Sequence, residues 1–272
     1  MNTIKFLGTA GARFVVSKQV RASGGMWFSL AGTNFLLDPG PGTLVRALAS
    51  RPKLDPTTLD GIILSHKHLD HSADINVMIE AMTEGGFKRR GAVFAPADAF
   101  ENDPVIFKYL RGFVERIGIL KEGGSYTIGN VKFTTPVKHI HPVETYGMNF
   151  NYAGPSISFI PDTLFFPELA SHYQGDAMII NALRLKLGAL KVDHLTMDDV
   201  REIIAQAKPR LALLTHFGMG VLRAKPGEIA ARMQAELGIN VIAARDGMLL
   251  NLDELDQLDR PKQKESKSER PD

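Results

Sequence analysis

Ser65-His66-Lys67-His68-Leu69-Asp70-His71 follows the apolar run Gly61-Ile62-Ile63-Leu64 and sets four metal-binding side chains within six residues. A buried-type strand that ends in imidazoles and a carboxylate marks a strand-to-helix corner, where functional groups collect in sheets with helical crossovers. Side chains two apart on an extended segment face the same way, so His66 and His68 can chelate one ion. Asp70 and His71, on the turn into the next helix, can aim at a second ion beside it. Three of the eight histidines of the chain fall in this window, which is hard to attribute to chance surface polarity.

Around this corner the chain alternates between two periodicities. Thr3 to Leu7, Met26 to Leu30 and Asn34 to Leu37 are short, aliphatic, aromatic or β-branched, and bounded by Gly, Asn and Asp, so they read as strands. Ala31-Gly32-Thr33 then reads as a hairpin connection. Helical patterns follow over Thr43 to Ala49, Ala73 to Met82, Pro104 to Ile117, Met197 to Lys208 and Pro226 to Leu237. Thr196 is a good N-cap with two aspartates behind it, Pro226 suits a helix start and Gly238 a helix stop. Between the helices lie apolar strands at Gly61 to Ser65, Ser156 to Ile160, Ala177 to Ile180, Leu211 to Thr215 and Val241 to Ala244. Interleaving of this kind predicts an α/β fold, a mixed sheet system covered by helices.

The composition fits that expectation and closes several others. With 44% hydrophobic and 23% charged residues the chain has the balance of a globular protein rather than a disordered or membrane one. A formal charge of +2 announces no polyanionic partner. There is no cysteine, so disulfides and thiolate ligands are excluded and any metal must sit on imidazole and carboxylate. The opening MNTIKFLGTAG alternates like a strand, no run approaches a membrane span, and the reading is a cytoplasmic protein with no membrane association. No repeat or Pro/Ser-rich linker divides residues 1–252, which read as one domain. Residues 253–272 carry seven acids and five bases with two leucines, and read as a disordered tail.

Further ligands are available at other strand ends. His141 opens His-Pro-Val-Glu-Thr-Tyr-Gly, with His139 two positions earlier. Asp162 follows Ser-Ile-Ser-Phe-Ile-Pro, and His216 follows Leu-Ala-Leu-Leu-Thr. Each is a polar group at the C-terminal edge of an apolar strand, where a lone charge or imidazole would be costly to bury. Other candidates carry less. Ser23 lacks a nucleophile elbow, and the Gly-rich stretches at 22–25 and 38–43 match neither a Walker nor a Rossmann spacing. Lys88-Arg89-Arg90 reads as a solvated cluster or a surface for an anionic substrate, His172 as surface, and Trp27 as core.

SHKHLDH, an Asp ending LLDPG, a later His, an Asp in PDT and a His in LTHFG together resemble the metallo-β-lactamase superfamily of hydrolases across residues 1–252. HPVETYG, LLTHFG and His194-Leu195-Thr196 resemble in particular the ribonuclease Z and small-phosphodiesterase branch. The resemblance implies an αββα four-layer sandwich, two mixed sheets flanked by helices. It implies His66, His68 and His141 on one divalent metal ion, Asp70, His71 and His216 on another, and Asp162 bridging, with zinc as the default and manganese or iron as alternatives. His139 is the rival for the place of His141, whose spacing to Gly147 fits better. Asp38 either orients a ligand histidine or is simply the residue of an Asp-Pro-Gly turn. Asp70 and His194 are the implied catalytic residues, Asp70 helping to orient the attacking water and His194 serving the leaving oxygen as proton donor or electrostatic clamp, unless His194 is simply a polar residue ahead of the Thr196 cap.

The expected function is hydrolysis of a phosphodiester, either a small molecule or a nucleic acid. The alternatives are a thioester or lactam hydrolase on the same two ions, and a non-hydrolytic scaffold or redox centre. Transfer-RNA enzymes of the branch carry a long gripping arm between the third and fourth motifs, yet His141 and Asp162 are only twenty-one positions apart. The enlarged region is instead 84–138, expected to shape a substrate lid or a dimer surface. By the same resemblance a homodimer is the expected assembly.

Overall fold

Ile62, Ile63 and Leu64 set the layering, because successive side chains of a strand face opposite ways. Ile63 enters a core that also holds Phe28, Phe35, Phe150 and Phe159, whereas Ile62 and Leu64 pack with Ile75, Met78 and Met82. The same alternation sorts Phe159 from Ile160, Ile179 from Met178 and Ile180, and Leu213 from Ala212 and Leu214 on the other side of the molecule. The computed structural model describes residues 1–188 and 192–258, and across them this sorting yields three parallel cores between four layers.

The strands in chain order are β1 (Thr3–Phe6), β2 (Met26–Leu30), β3 (Thr33–Leu37), β4 (Gly61–Ile63), β5 (Ala92–Pro96), β6 (Arg116–Leu120) and β7 (Gly124–Ile128). They continue as β8 (Val131–Thr135), β9 (Met148–Asn151), β10 (Ile157–Ile160), β11 (Ala177–Asn181), β12 (Leu211–Thr215), β13 (Asn240–Ala243) and β14 (Leu249–Asn251). One sheet has the order β14-β1-β2-β3-β4-β5-β6 and the other β13-β12-β11-β10-β9-β8-β7. Strands β3 to β6 are parallel and so are β10 to β13; the remaining pairs are antiparallel. The result is the expected αββα sandwich of two mixed sheets.

Seven helices lie among the described residues: α1 (Ala12–Ser17), α2 (Thr43–Ala49), α3 (Leu69–Ser72), α4 (Ile75–Met82), α5 (Met197–Ala207), α6 (Met219–Arg223) and α7 (Pro226–Leu237). α4 buries Ile75, Met78, Ile79 and Met82, and α5 buries Met197, Val200, Ile203 and Ile204, both at the spacing of one helical face. Thr196 and Asp199 form the capping box of α5, and Gly238 ends α7 in the left-handed region. Ala31 and Gly32 both have positive φ, +47° and +78°, the requirement of the tight turn that joins β2 to β3. Phe28, Phe35 and Phe150 stack with centroids 4.7 to 5.5 Å apart and tie the two sheets together. Each such ring contributes roughly 1.5–3 kcal/mol by burial.

The helical expectation over residues 104–117 fails. Ile106, Leu110 and Val114 are buried at a helical spacing of four, but only Lys108–Gly112 coil, as a 3-10 turn, and Arg116 and Ile117 belong to β6. The reason lies in side chains that capture the backbone groups a helix would need. Asn76 bonds to the carbonyl of Val105 and the N–H of Phe107, and the Arg111 guanidinium reaches the carbonyls of Ile106 and Phe100. Much of the region 84–138 is sandwich framework: it supplies β5 and β6 at one end of the first sheet and β8 and β7 at one end of the second. Two residues of its Lys-Arg-Arg cluster are structural, since Arg89 donates to the carbonyl of Val114 and Arg90 to those of Thr57 and Leu59, while Lys88 pairs with Glu84 in solvent.

Order also extends past residue 252. Leu252–Gln257 form a 3-10 helix, Leu252 and Leu255 join the core between the sheets, and the carboxylate of Asp253 accepts two bonds from Asn2. The expected tail over 259–272 lies outside the described residues. Among the described residues no helix is long and apolar enough to cross a membrane.

Candidate metal centre

The C-terminal ends of the parallel strands of both sheets converge on one edge of the sandwich. β3 delivers Asp38 and β4 delivers Ser65 and His66, while β10 delivers Asp162, β11 delivers Asn181 and β12 delivers His216. His68 stands at the start of α3, which carries Asp70 and His71. His141 comes from the loop between β8 and β9, and His194 from the segment before α5. All seven expected ligand residues therefore reach one place, and they fall into two groups. His66, His68, His141 and Asp162 each offer an atom within 4.8 Å of the others, as do Asp70, His71 and His216.

Hydrogen bonds fix which nitrogen each ring presents. His71 Nδ1 lies 2.9 Å from Asp38 Oδ2, leaving Nε2 toward His216 Nε2 at 3.0 Å. His141 Nδ1 donates to the carbonyl of Asp193 at 2.9 Å, leaving Nε2 toward His68 Nδ1 at 3.1 Å. His216 Nε2 is 3.3 Å from Asp70 Oδ2. Asp162 lies between the groups: its Oδ2 is 3.7 Å from His66 Nε2, 3.5 Å from His71 Nε2 and 3.0 Å from His194 Nε2, and Asn181 donates to its Oδ1 at 2.9 Å. Asp38, His66 and His71 also form a cluster of ligand-type atoms, but the Asp38 oxygens are taken by Ser65 and His71, so Asp38 orients and is not left to ligate.

The electrostatics call for a cation. Burial opposes ionisation of Asp162, yet His216 and His194 hold its carboxyl well below the usual range. Burial likewise opposes Asp70, and His71 and His216 hold it low. His71 is driven the other way: burial would neutralise it, but Asp70, Asp162 and Asp38 raise it well above the ordinary histidine value. The protein's own charges thus favour positive charge between the buried carboxylates of Asp38 and Asp162 and the half-buried one of Asp70, while burial keeps His66, His68 and His141 neutral, the last at about 4. His66 Nε2 is buried without a hydrogen-bond partner among the described residues. Neutral imidazoles with facing lone pairs, carboxylates and an orphaned buried nitrogen fit a divalent metal, and an N/O donor set of this kind suits zinc, manganese or iron.

His139 is the wrong histidine for the cluster. It is buried with Nε2 on the hydroxyl of Tyr173 at 2.8 Å and Nδ1 3.3 Å from the carbonyl of Asp162. Gly147 explains the spacing that favoured His141, because a Cβ there would lie 2.3 Å from the Tyr173 hydroxyl. Three participants escaped the sequence reading. Asn181 closes an apolar strand just as Asp162 and His216 do, so the same signal could have found it. Ser65 sits inside the motif. Asp193 acts through a backbone carbonyl, which no side-chain pattern reveals. Two backbone features complete the pocket: His216 is in the left-handed region at φ +59°, and a Cβ on Gly11 would lie 2.2 Å from the His216 carbonyl oxygen and 2.5 Å from its Nδ1.

Fold and candidate site together are of the metallo-β-lactamase type, a superfamily of metal-dependent hydrolases. The chain belongs to the β-lactamase superfamily, whose domain model matches residues 33–217. It is 30% identical over 259 residues to the uncharacterised protein MJ1374 of Methanocaldococcus jannaschii, covering 92% of this chain and 94% of that one. It is 26% identical over 197 residues to YhfI of Bacillus subtilis, named a probable metallo-hydrolase, covering 72% of this chain and 80% of the relative. The crystal structure of YhfI superposes with a TM-score of 0.75 at 21% identity, over 92% of this chain and 98% of that one. A diphosphatase of the PhnP family shares the fold with a TM-score of 0.66 at 22% identity, over 92% and 97% of the two chains.

Proposed function

We propose that this protein is a dinuclear metal-dependent phosphodiesterase. His66, His68 and His141 would hold one ion, Asp70, His71 and His216 the other, and Asp162 would serve both. Divalent ions bound there supply positive charge for a phosphoryl group and lower the pKa of a water toward about 7. Asp70 would also orient the attacking water. The choice of a phosphoryl substrate is supported by the likeness in fold to a diphosphatase.

The observation that carries the proposal is His194, an imidazole in excess of both three-donor groups. Its side chain is 13% exposed, its ring centroid is 5.2 Å from that of His141, and its Nε2 is anchored on Asp162. Its Nδ1 is buried without a partner among the described residues. A ring so placed can donate a hydrogen bond to a leaving oxygen, and an alkoxide needs such help where a thiolate does not. The test is a panel of diester, thioester and lactam substrates with the metal-loaded protein. Diester turnover should dominate, and His194→Ala should lower it roughly 10²–10⁴-fold with metal content unchanged. Preference for the thioester, or full diester turnover by His194→Ala, would overturn the proposal.

A further inference from the structure

Asp38, Ser65, His66 and His71 form one branched set of hydrogen bonds that reaches both ligand groups. Asp38 Oδ1 accepts from the Ser65 N–H at 2.6 Å, and Asp38 Oδ2 accepts from the Ser65 hydroxyl at 2.7 Å and from His71 Nδ1 at 2.9 Å. Ser65 Oγ stands 3.0 Å from His66 Nδ1. All four residues are buried.

Counting protons decides the direction of the last contact. A serine hydroxyl has one proton and an ionised carboxylate has none. The Ser65 proton is committed to Asp38, the shorter and charge-assisted contact, so His66 Nδ1 must be the donor to Ser65 Oγ. His66 therefore carries its proton on Nδ1 and turns the lone pair of Nε2, the atom left without a partner, into the cluster. His71 is fixed in the same sense by Asp38 directly. The ring centroids of these two histidines are only 4.1 Å apart, yet His66 belongs with His68, His141 and Asp162, and His71 with Asp70 and His216.

We infer that Asp38 and Ser65 act as a single orienting unit for both ion positions, the carboxylate setting His71 directly and His66 through the serine hydroxyl. This rests on the two-ion reading above. Ser65 is a positioning residue for one position only, and Asp38 for both. The backbone is arranged to hold the unit: Asp38 adopts the left-handed conformation at φ +53°, and Gly25 packs so closely that a Cβ would lie 2.1 Å from the Asp38 carbonyl oxygen. The Asp38 N–H is in turn bonded to Ile63 of β4, the strand that delivers Ser65.

The test is titration of the full-length chelator-treated protein with zinc or cobalt, reading two affinities. Ser65→Ala should weaken one ion roughly 10–100-fold and leave the other unchanged, Asp38→Asn should weaken both, and Ser65→Thr, which keeps the hydroxyl, should restore the first. Wild-type affinity for both ions in Ser65→Ala, or equal weakening of both, would overturn the inference. A second readout needs no variant: long-range ¹H–¹⁵N spectra of the zinc-loaded wild-type protein should show His66 and His71 protonated on Nδ1, and a proton on Nε2 of His66 would overturn it. Two ions bound in this pattern without diester turnover would refute the proposed activity and leave the orienting unit standing.

Discussion

The Nε2 atoms of His71 and His216 lie 3.0 Å apart although 145 positions separate them in the chain. The Nδ1 proton of His71 belongs to Asp38, so the nitrogen that faces His216 presents a lone pair when the ring is neutral. Two imidazole lone pairs at that separation repel unless a proton or a metal ion lies between them. The strands of both sheets, the left-handed backbone at His216 and the close packing of Gly11 all serve to bring these two atoms together.

Gly11 is therefore predicted to matter as a contact surface. Gly11→Ala should push His216 out of place, because its Cβ would overlap both the carbonyl oxygen and Nδ1 of that residue. Elemental analysis should find one ion equivalent fewer than in wild type. Overpacking should cost roughly 1–3 kcal/mol, a fall of several degrees in the melting midpoint. Full metal content in the variant would contradict this.

His139 sets a pH dependence of stability that involves no bound ion. Burial lowers it to about 4 from an ordinary value of 6.5, so the unfolded chain binds a proton there that the folded chain refuses. Stability from this group is complete above pH 6.5 and falls as the pH drops toward 4, by about 2 kcal/mol between pH 7 and 5. Denaturant titration of chelator-treated wild type and His139→Gln at both pH values should show a smaller decline in the variant. Equal declines would refute the assignment.

The capping box of α5 links stability to His194, which lies two residues before Thr196. Thr196→Ala should cost about 1 kcal/mol and lower the melting midpoint by roughly 2–4 °C. Diester turnover should fall with it, since the segment carrying His194 loses its anchor, while metal content stays constant. Loss of metal in this variant would place His194 among the ligands.

Asn181→Leu removes the amide that donates to Asp162 Oδ1. The metal affinity measured by competition with a chromogenic chelator should drop roughly 10–100-fold. An unchanged affinity would show that the remaining neighbours suffice to orient Asp162.

How much of this was legible in the sequence depends on where the deciding contacts lie. Strand-end residues were legible, because Gly61-Ile62-Ile63-Leu64, Ile157–Ile160 and Leu211–Thr215 announce themselves as apolar runs and a polar residue at the end of such a run needs a partner. The choice of His141 over His139 came from a spacing whose physical cause, the fit of Gly147 against Tyr173, only the fold shows. Residues 104–117 misled because burial every fourth residue was produced by a looped segment whose carbonyls are held by Asn76 and Arg111, partners distant or unforeseeable in periodicity. The strands within 84–138 went unread because Arg116–Leu120, at a sheet edge, has no inward-outward alternation, and Gly124–Ile128, at the other sheet's edge, alternates over only five residues.

The central claim is that seven side chains hold two ions, and metal content by elemental analysis tests it most directly. Wild-type protein reconstituted and freed of excess metal should retain two equivalents, His141→Ala and His216→Ala about one each, and Asp162→Ala fewer than two. Wild-type protein that retains none, or an Asp162→Ala variant that retains both as tightly as wild type, would contradict the account.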